Sequence, residues 1–295
     1  MPPIEDRACP ICGGEEAVLA FEIARGADGI SQNLWRCVQC GYHRARPLPS
    51  PGDLASCYGS EYGCYVDQGR PGQRSLLRRV RRIERIAGKK GRLLDVGGGT
   101  GGFAWAALQD GWDAYSLETS PYAHAQAVER LGSRAIGVGL EQLPASLDGF
   151  DAITLWAVIE HMPDPMPLLA HAVERLSKGG LLYLQSPHVG SLAARVYKGN
   201  WRLLKHSPDH VGFFTAKTMR HAAVGLGLKV VSRGVGGVPF PLGKGGAVSP
   251  NARESKPERG GVRRMLKYDL AGPLARMVSG CLRLGDNVEY ALRKG

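Results

Sequence analysis

The sequence predicts an α/β protein, a doubly wound and mostly parallel sheet preceded by a small metal-binding ribbon. Three observations point there. Strand-like and helix-like segments alternate from Arg92 to Gln185, a glycine-dense turn joins the first strand of that series to its first helix, and two CxxC pairs open the chain.

Size and composition fit this class. The 295 residues, 43% hydrophobic and 22% charged, suffice for one domain of ~200 residues plus an appendage, which excludes wholesale disorder. The longest apolar run, Ala152 to Ile159, is far shorter than the ~20 residues a membrane helix needs. The start, MPPIEDRACP, has neither a basic nor an apolar stretch, so no signal peptide is expected and a reducing cytoplasm is the default location. Seven unevenly spaced cysteines favour thiol or metal chemistry over a disulfide framework.

In chain order, Cys9-Pro-Ile-Cys12-Gly13 and Cys37-Val-Gln-Cys40-Gly41 come first, with 24 residues between the pairs. A glycine after the second cysteine permits a tight knuckle, and four thiolates complete a closed tetrahedral site. Structural zinc on Cys9, Cys12, Cys37 and Cys40 is expected, with residues 17–23 and 33–36 as short strands of a ribbon over residues 1–48. Two unrelated redox pairs are the weaker reading, since neither sits in a βαβ pattern. Cys57, Cys64 and Cys281 lack such partners and read as ordinary thiols.

Pro47, Pro49 and Pro51 end the ribbon, and residues 49–91 form a linker. Within it, Leu76, Leu77, Val80, Ile83 and Ile86 recur at helical spacing over residues 73–90, with Arg78, Arg79, Arg81, Arg82 and Arg85 among them. This is an amphipathic helix with a basic outer face, either simply solvated or suited to an anion.

The alternating series follows in the domain over residues 92–295: strands at 93–96, 113–117, 135–138, 151–156 and 180–185, and helices at 103–110, 121–131 and 166–176. In a parallel sheet of this kind ligands bind at the carboxyl ends of the strands. The turn Asp95-Val-Gly97-Gly98-Gly99-Thr-Gly101-Gly102 lets a ligand approach the backbone closely at a helix N-terminus. Gly97, Gly99 and Gly102 also satisfy GxGxxG, so a dinucleotide-binding dehydrogenase has to be weighed. Asp95 argues against it, because a carboxylate there repels a pyrophosphate and attracts a cationic amino-acid moiety. Glu118, ending the next strand, is placed to accept from ribose hydroxyls.

With these residues in hand, the chain resembles the S-adenosylmethionine-dependent methyltransferases of Rossmann-like fold, whose sheet has seven mostly parallel strands. LDVGGGTGGF resembles their first motif and SLETSPYAHAQA their second. The resemblance implies cofactor contacts at Asp95, Gly97, Gly99, Gly101 and Glu118, and an adenine-flanking segment at Val138 to Leu143 that includes Leu140 and Glu141. DAITLWAVIEHMPDP resembles the fourth-strand motif, in which Trp156 reads as a wall of the cofactor or acceptor pocket or as core. LSKGGLLYLQSPH resembles the fifth strand, HVGFFT with Leu228 to Val231 the approach to the sixth, and Asp286 to Lys294 the last. The ribbon joined to such a domain is similar to a bacterial small-molecule and sugar-acting group. The sugar C-methyltransferases in that group carry a further large domain not found in this sequence, which argues against C-methylation.

Methyl transfer from a sulfonium is an in-line displacement that needs alignment and exclusion of water, and a hydroxyl acceptor needs a base near neutral pH. The candidates are His161 and His210, with Glu160 orienting one of them or binding the acceptor; His188 and His206 rank lower. The expected acceptor is a small molecule, a sugar or a glycan, or such a group linked to a nucleotide or phosphate. The sequence has no Asn-Pro-Pro-aromatic motif and no Pro-Cys after the fourth strand, so nucleobase methylation has no marker. An RNA base methyltransferase and a non-catalytic binding protein on the same fold are the alternatives.

The net charge of +11 is unevenly spread. Residues 93–233 balance 12 basic against 12 acidic, whereas 49–92 carry 10 against 4 and 234–295 carry 11 against 5. Two basic segments flanking a neutral enzyme suit a phosphate-bearing acceptor or an anionic surface. The Gly/Pro-rich residues 234–261 read as a flexible insertion, followed by a helix over 262–284.

Overall fold

The computed structural model describes residues 8–23, 32–50, 52, 72–205, 209–236 and 285–295. Cys57, Cys64, Cys281, His206, the expected helix over 262–284 and residues 237–261 of the expected insertion lie outside them.

The main sheet begins with β4 (Arg92–Val96), β5 (Asp113–Leu117) and β6 (Ala135–Ile136), numbered after the three strands of the ribbon. It continues through β7 (Phe150–Trp156), β8 (Leu176–Pro187), β10 (Leu228–Gly236) and β11 (Asn287–Lys294) in the spatial order β10-β11-β8-β7-β4-β5-β6. The pairs β4/β5, β4/β7, β5/β6 and β7/β8 are parallel, and β11 runs antiparallel to both its neighbours. This is the seven-stranded, mostly parallel sheet that the sequence predicts. Gly234, Val235 and Gly236, read from the sequence as the start of the insertion, are instead strand, paired to Glu289, Val288 and Asn287. β8 is also longer than expected at both ends, since Phe150 of β7 pairs with Leu176 and β11 extends the pairing to Pro187.

Alternation along the central strands divides the core into two faces. Leu93, Ala152, Leu181 and Tyr183 meet α1 (Gln73–Ala87) and α2 (Gly102–Gln109) through Val80, Ile83, Phe103, Ala104 and Ala107. Leu94, Val96, Ile153, Leu155, Leu182 and Leu184 face the opposite way. There they meet α4 (Met166–Arg175) and α5 (Ala216–Gly225) through Leu169, Ala172, Met219 and Ala222. Each fully buried Leu, Ile, Val, Phe or Met among them contributes roughly 1.5–3 kcal/mol, which fixes the strand register against a one-residue slip. The helix α3 (Pro121–Leu131), with proline at its first turn, covers the β5 side.

α1 stops at Gly88, whose left-handed φ of 83° lets its N–H return to the Glu84 carbonyl. Its arginines divide in a way that the pattern of the sequence conceals. Arg74, Arg78, Arg81 and Arg85 are exposed, while Arg79 and Arg82 turn partly inward; Arg82 pairs with Glu289 at 2.5 Å.

The ribbon comprises β1 (Ala17–Glu22), β2 (Asn33–Cys37) and β3 (His43–Arg46), joined antiparallel in that order. It does not close on itself. A fourth strand, β9 (Gly212–Phe213), comes from the main domain and pairs with His43 and Arg44. Tyr42, 1% exposed, packs edge-on against Phe214 at 5.1 Å, and the Thr218 hydroxyl donates to the Cys40 carbonyl at 3.1 Å. At Gly199 a Cβ would lie 1.7 Å from the Glu22 carbonyl, so the backbone of β1 rests directly on this glycine. Among the described residues no helix is long and apolar enough to cross a membrane.

Candidate functional site

The four ribbon cysteines converge. Cys9 and Cys40 have their sulfurs 3.5 Å apart, Cys12 and Cys37 3.6 Å, and all four ligand atoms lie within 4.8 Å of one another. Tetrahedral zinc at about 2.3 Å from each sulfur sets sulfur–sulfur separations of roughly 3.8 Å. The donor set therefore fits one ion. Both knuckles have the expected form: Gly13 (φ 71°) donates to the Cys9 carbonyl at 2.8 Å and Gly41 (φ 78°) to that of Cys37 at 3.0 Å. Bound there, zinc would be structural, with no coordination position left for substrate.

The second constellation sits at the carboxyl ends of β4 and β5. Asp95, 2% exposed, accepts from the Thr154 hydroxyl at 2.7 Å, a contact made possible by the parallel register of β4 and β7. Burial pushes its carboxyl up to about 7, with the Thr154 bond and the Arg79 charge opposing and Glu118 adding to the rise. Gly97 and Gly98 both donate to the Leu117 carbonyl, at 2.8 and 3.0 Å, which folds the turn back over β5. A Cβ on Gly98 would stand 2.2 Å from the Ser116 hydroxyl, whereas one on Gly99 would meet nothing within 4 Å. That open space beside a positive-φ glycine is where a ligand can approach the backbone.

Glu118, 6% exposed, braces this turn. One carboxylate oxygen accepts from the Gly99 N–H at 2.8 Å and the other from the Ser120 N–H at 2.8 Å. A carboxylate has about four lone-pair sites, so both oxygens keep capacity for hydroxyl donors. The turn, Asp95 and Glu118 thus fit the cofactor that the sequence implies: an acid for its ammonium, an open backbone cradle, and acceptors for a ribose.

Of the other expected cofactor contacts, Gly97, Gly99 and Gly101 are in the turn with φ of 66°, 56° and 74°. Leu140 is core at 2% exposed, and Glu141 is exposed in the 3-10 turn Leu140–Gln142. Trp156 lies between Phe103 and Tyr183, at 5.2 and 5.1 Å, with the Arg79 guanidinium 4.6 Å above its ring. The sequence puts Arg79 on the basic outer face of α1, and the structure corrects this by turning it inward over Trp156. It stands among several arginines in the sequence, and only the inward position beside Val80 distinguishes it.

The third constellation joins two segments. The 3-10 turn Ile159–His161 follows β7, and Asp209 and His210 precede β9; the Val211 N–H binds the Glu160 carbonyl at 2.8 Å and holds the segments together. Glu160, His161 and His210 present ligand atoms within 4.8 Å of one another, and the two rings lie 4.7 Å apart. The His161 Nδ1 meets the Asp209 carboxylate at 3.1 Å and the Asp209 carbonyl at 3.2 Å, while the His210 Nδ1 meets the Leu203 carbonyl at 2.7 Å. Burial depresses His161, yet Asp209 and Glu160 outweigh it and raise its pKa. For His210 burial, reinforced by His161, prevails and pulls the pKa down to about 4. Asp209 would be raised by burial, but His161 holds it below the usual carboxylate range.

The sequence brought forward Glu160, His161 and His210 without Asp209, although Asp209 adjoins His210 in the chain. His188 is occupied elsewhere, its Nδ1 bound to the Gly285 carbonyl at 3.1 Å.

Comparison with known proteins follows the same lines. A family model described as a methyltransferase domain matches residues 69–233, more than half of the chain. A tRNA U34 carboxymethyltransferase from Pseudomonas putida (strain W619) is 35% identical over 103 residues, 32% of this chain and 32% of that protein. A chloroplastic 2-methyl-6-phytyl-1,4-hydroquinone methyltransferase from Oryza sativa subsp. japonica is 26% identical over 129 residues, 42% of this chain and 39% of that one. The chain thus spans roughly a third of the length of the curated relatives it matches first. Among solved structures, an S-adenosylmethionine-dependent methyltransferase from Archaeoglobus fulgidus superposes with TM-score 0.52 at 15% identity, covering 79% of this chain and 99% of that one. A possible histamine N-methyltransferase from Thermotoga maritima gives TM-score 0.50 at 20% identity, covering 82% and 98%. At these identities the superpositions speak to the fold alone.

Proposed function

This chain belongs to the methyltransferase-domain family, and we propose that it transfers a methyl group from S-adenosylmethionine to the hydroxyl of a small-molecule, sugar or glycan acceptor. S-Adenosylmethionine supplies an electrophilic methyl on a sulfonium. Asp95 would take its ammonium, the backbone from Gly97 to Gly101 its approach to the sheet, and Glu118 its ribose hydroxyls. As the acceptor oxygen bonds to the methyl carbon, the carbon–sulfur pair returns to sulfur and neutralises it, and the hydroxyl proton must leave.

The observation that carries the hydroxyl reading is the third constellation. It lies at the carboxyl end of β7, on the sheet edge that also bears Asp95 and Glu118. Its Asp209–His161 pair is a means of managing a proton, since the carboxylate fixes the ring's tautomer and stabilises its charge. An amine acceptor that is already neutral would need no such group. His161 suits the proton better than His210, whose depressed pKa makes it the weaker base.

An RNA acceptor is the second reading. The exposed row Arg74, Arg78, Arg81 and Arg85 on α1 supports it, as does the partial likeness to proteins whose name specifies a tRNA position. Incubation with labelled S-adenosylmethionine against nucleotide sugars, glycan fragments and total RNA decides between the two. Label in a hydroxyl of the first two classes is expected, and label in RNA alone would overturn the hydroxyl reading. His161→Gln should reduce turnover while S-adenosylmethionine affinity is kept.

A further inference from the structure

We propose that Glu160, His161 and His210 form a second metal site, distinct from the ribbon cysteines, which holds a divalent first-row transition ion against the acceptor hydroxyl. The inference rests on the hydroxyl reading for its role and on geometry for its existence.

The geometry has three parts. First, two imidazoles and one carboxylate converge with their ligand atoms inside 4.8 Å, a donor set suited to a divalent transition ion with positions left open for other oxygens. Second, Glu160 is fully buried and neither of its carboxylate oxygens has a hydrogen-bond partner among the described residues. A buried carboxylate without partners is costly unless something positive or protic meets it. The two histidines present ligand atoms within 4.8 Å of it, and neither donates to it.

Third, both rings are tethered through Nδ1, His161 by Asp209 and His210 by the Leu203 carbonyl. A ring that donates Nδ1–H to a carbonyl or carboxylate carries its lone pair on Nε2, with its orientation fixed. This is the outer-shell arrangement that metal-ligating histidines use. A His–Asp pair acting only as a proton relay explains His161 but leaves His210 and Glu160 with no task.

The reaction keeps its balance with the ion in place. With the ion bound, the Asp209–His161 pair would manage the proton by holding the ion in place of accepting the proton itself: the acceptor hydroxyl would bind the ion, which would lower its pKa, and its proton would pass to solvent. The oxygen bonds to the methyl carbon, the carbon–sulfur bond breaks toward sulfur, and S-adenosylhomocysteine leaves.

The test uses the full chain with zinc already in the ribbon and adds Co2+ alone. Nitrogen and oxygen donors give Co2+ visible absorption without the intense near-ultraviolet thiolate bands that cobalt in the ribbon would show. We expect one Co2+ per chain beyond the ribbon zinc. Glu160→Gln and His210→Asn should lose it with zinc content unchanged, and Asp209→Asn should weaken it by about 10–100-fold. Absence of any Co2+ beyond the ribbon in the unmutated chain overturns the site whether or not the variants fold, as does undiminished binding in both ligand variants. Co2+ binding with no hydroxyl acceptor labelled would retain the site and reject the hydroxyl reading. Undiminished hydroxyl labelling in chelator, with ribbon zinc kept and no Co2+ bound, would reject the ion's role against the acceptor hydroxyl and retain the reading.

Discussion

The backbone N–H of Ala45, on the last strand of the ribbon hairpin, donates to the carbonyl of Val211 at 2.9 Å. Val211 follows His210 directly, and its own N–H holds the Glu160 carbonyl at 2.8 Å. The ribbon is therefore bonded to the residue between the two halves of the proton-handling cluster, so the state of the cysteines bears on chemistry at the main sheet.

Loss of zinc should consequently lower turnover. Cys40→Ser opens the tetrahedral site, frees β3 and releases the segment that carries His210. A displacement of about 1 Å there can reduce turnover on the order of 100-fold. Among the described residues, the side-chain hydrogen bonds of Asp95 and Glu118 run to Thr154, Gly99 and Ser120 and not to the ribbon, and S-adenosylmethionine affinity should stay within a few-fold of normal. Zinc analysis, calorimetry and turnover on one preparation check this; equal losses of affinity and turnover would refute it.

Cofactor affinity should depend on pH through Asp95. Its carboxyl, raised to about 7 chiefly by burial, is protonated below that value and attracts no ammonium. Affinity should therefore fall as pH drops through about 7, by up to about tenfold per unit. Stability runs the other way. A carboxyl whose folded pKa exceeds the unfolded one destabilises the fold as it ionises, between the unfolded value and about 7. Asp95→Asn should flatten the affinity profile and raise thermal stability more at pH 8 than at pH 5, as titration calorimetry and melting at both pH values would reveal.

Glu118→Gln tests the brace on the glycine turn. An amide keeps one acceptor oxygen but presents an N–H₂ to either Gly99 or Ser120, each of which needs an acceptor. Loss of one charge-assisted bond, worth about 1.5–3 kcal/mol, should weaken S-adenosylmethionine by roughly 10–100-fold. Calorimetry reads it directly, and unchanged affinity would show that this carboxylate serves the turn alone.

Gly98 and Gly99 should respond differently to alanine. Gly98→Ala drives a methyl to 2.2 Å from the Ser116 hydroxyl, so the fold itself should suffer. Gly99→Ala meets open space, and its cost to stability is the left-handed φ, about 1–2 kcal/mol. Its methyl stands where the cofactor should lie, so binding should fail while melting barely changes. Melting curves and calorimetry on the two variants separate these outcomes.

Much of this was legible in the chain because it is local. The turn from Asp95 to Gly102, the strand that places Glu118 and the two cysteine knuckles each arise from residues near one another in sequence, where periodicity and glycine chemistry speak directly. What escaped depends on distant partners. β9 is two residues long and exists because β3 offers it an edge. Asp209 matters because Ile159–His161 folds against it, and Arg79 differs from Arg78 only by the face of α1 it occupies.

The position of β11 has a consequence for how the chain matures. Residues 287–294 lie between β8 and β10 and hydrogen-bond to both. During synthesis, which proceeds at about 5–20 residues per second, β8 must therefore wait with one edge unpaired while more than a hundred residues are still to be added. That edge carries Leu181, Leu182, Tyr183 and Leu184, an apolar run well suited to pairing with the wrong strand. Nascent chains stalled before residue 287 should be sticky, chaperone-dependent species, and the last strand acts as the latch that ends that hazard.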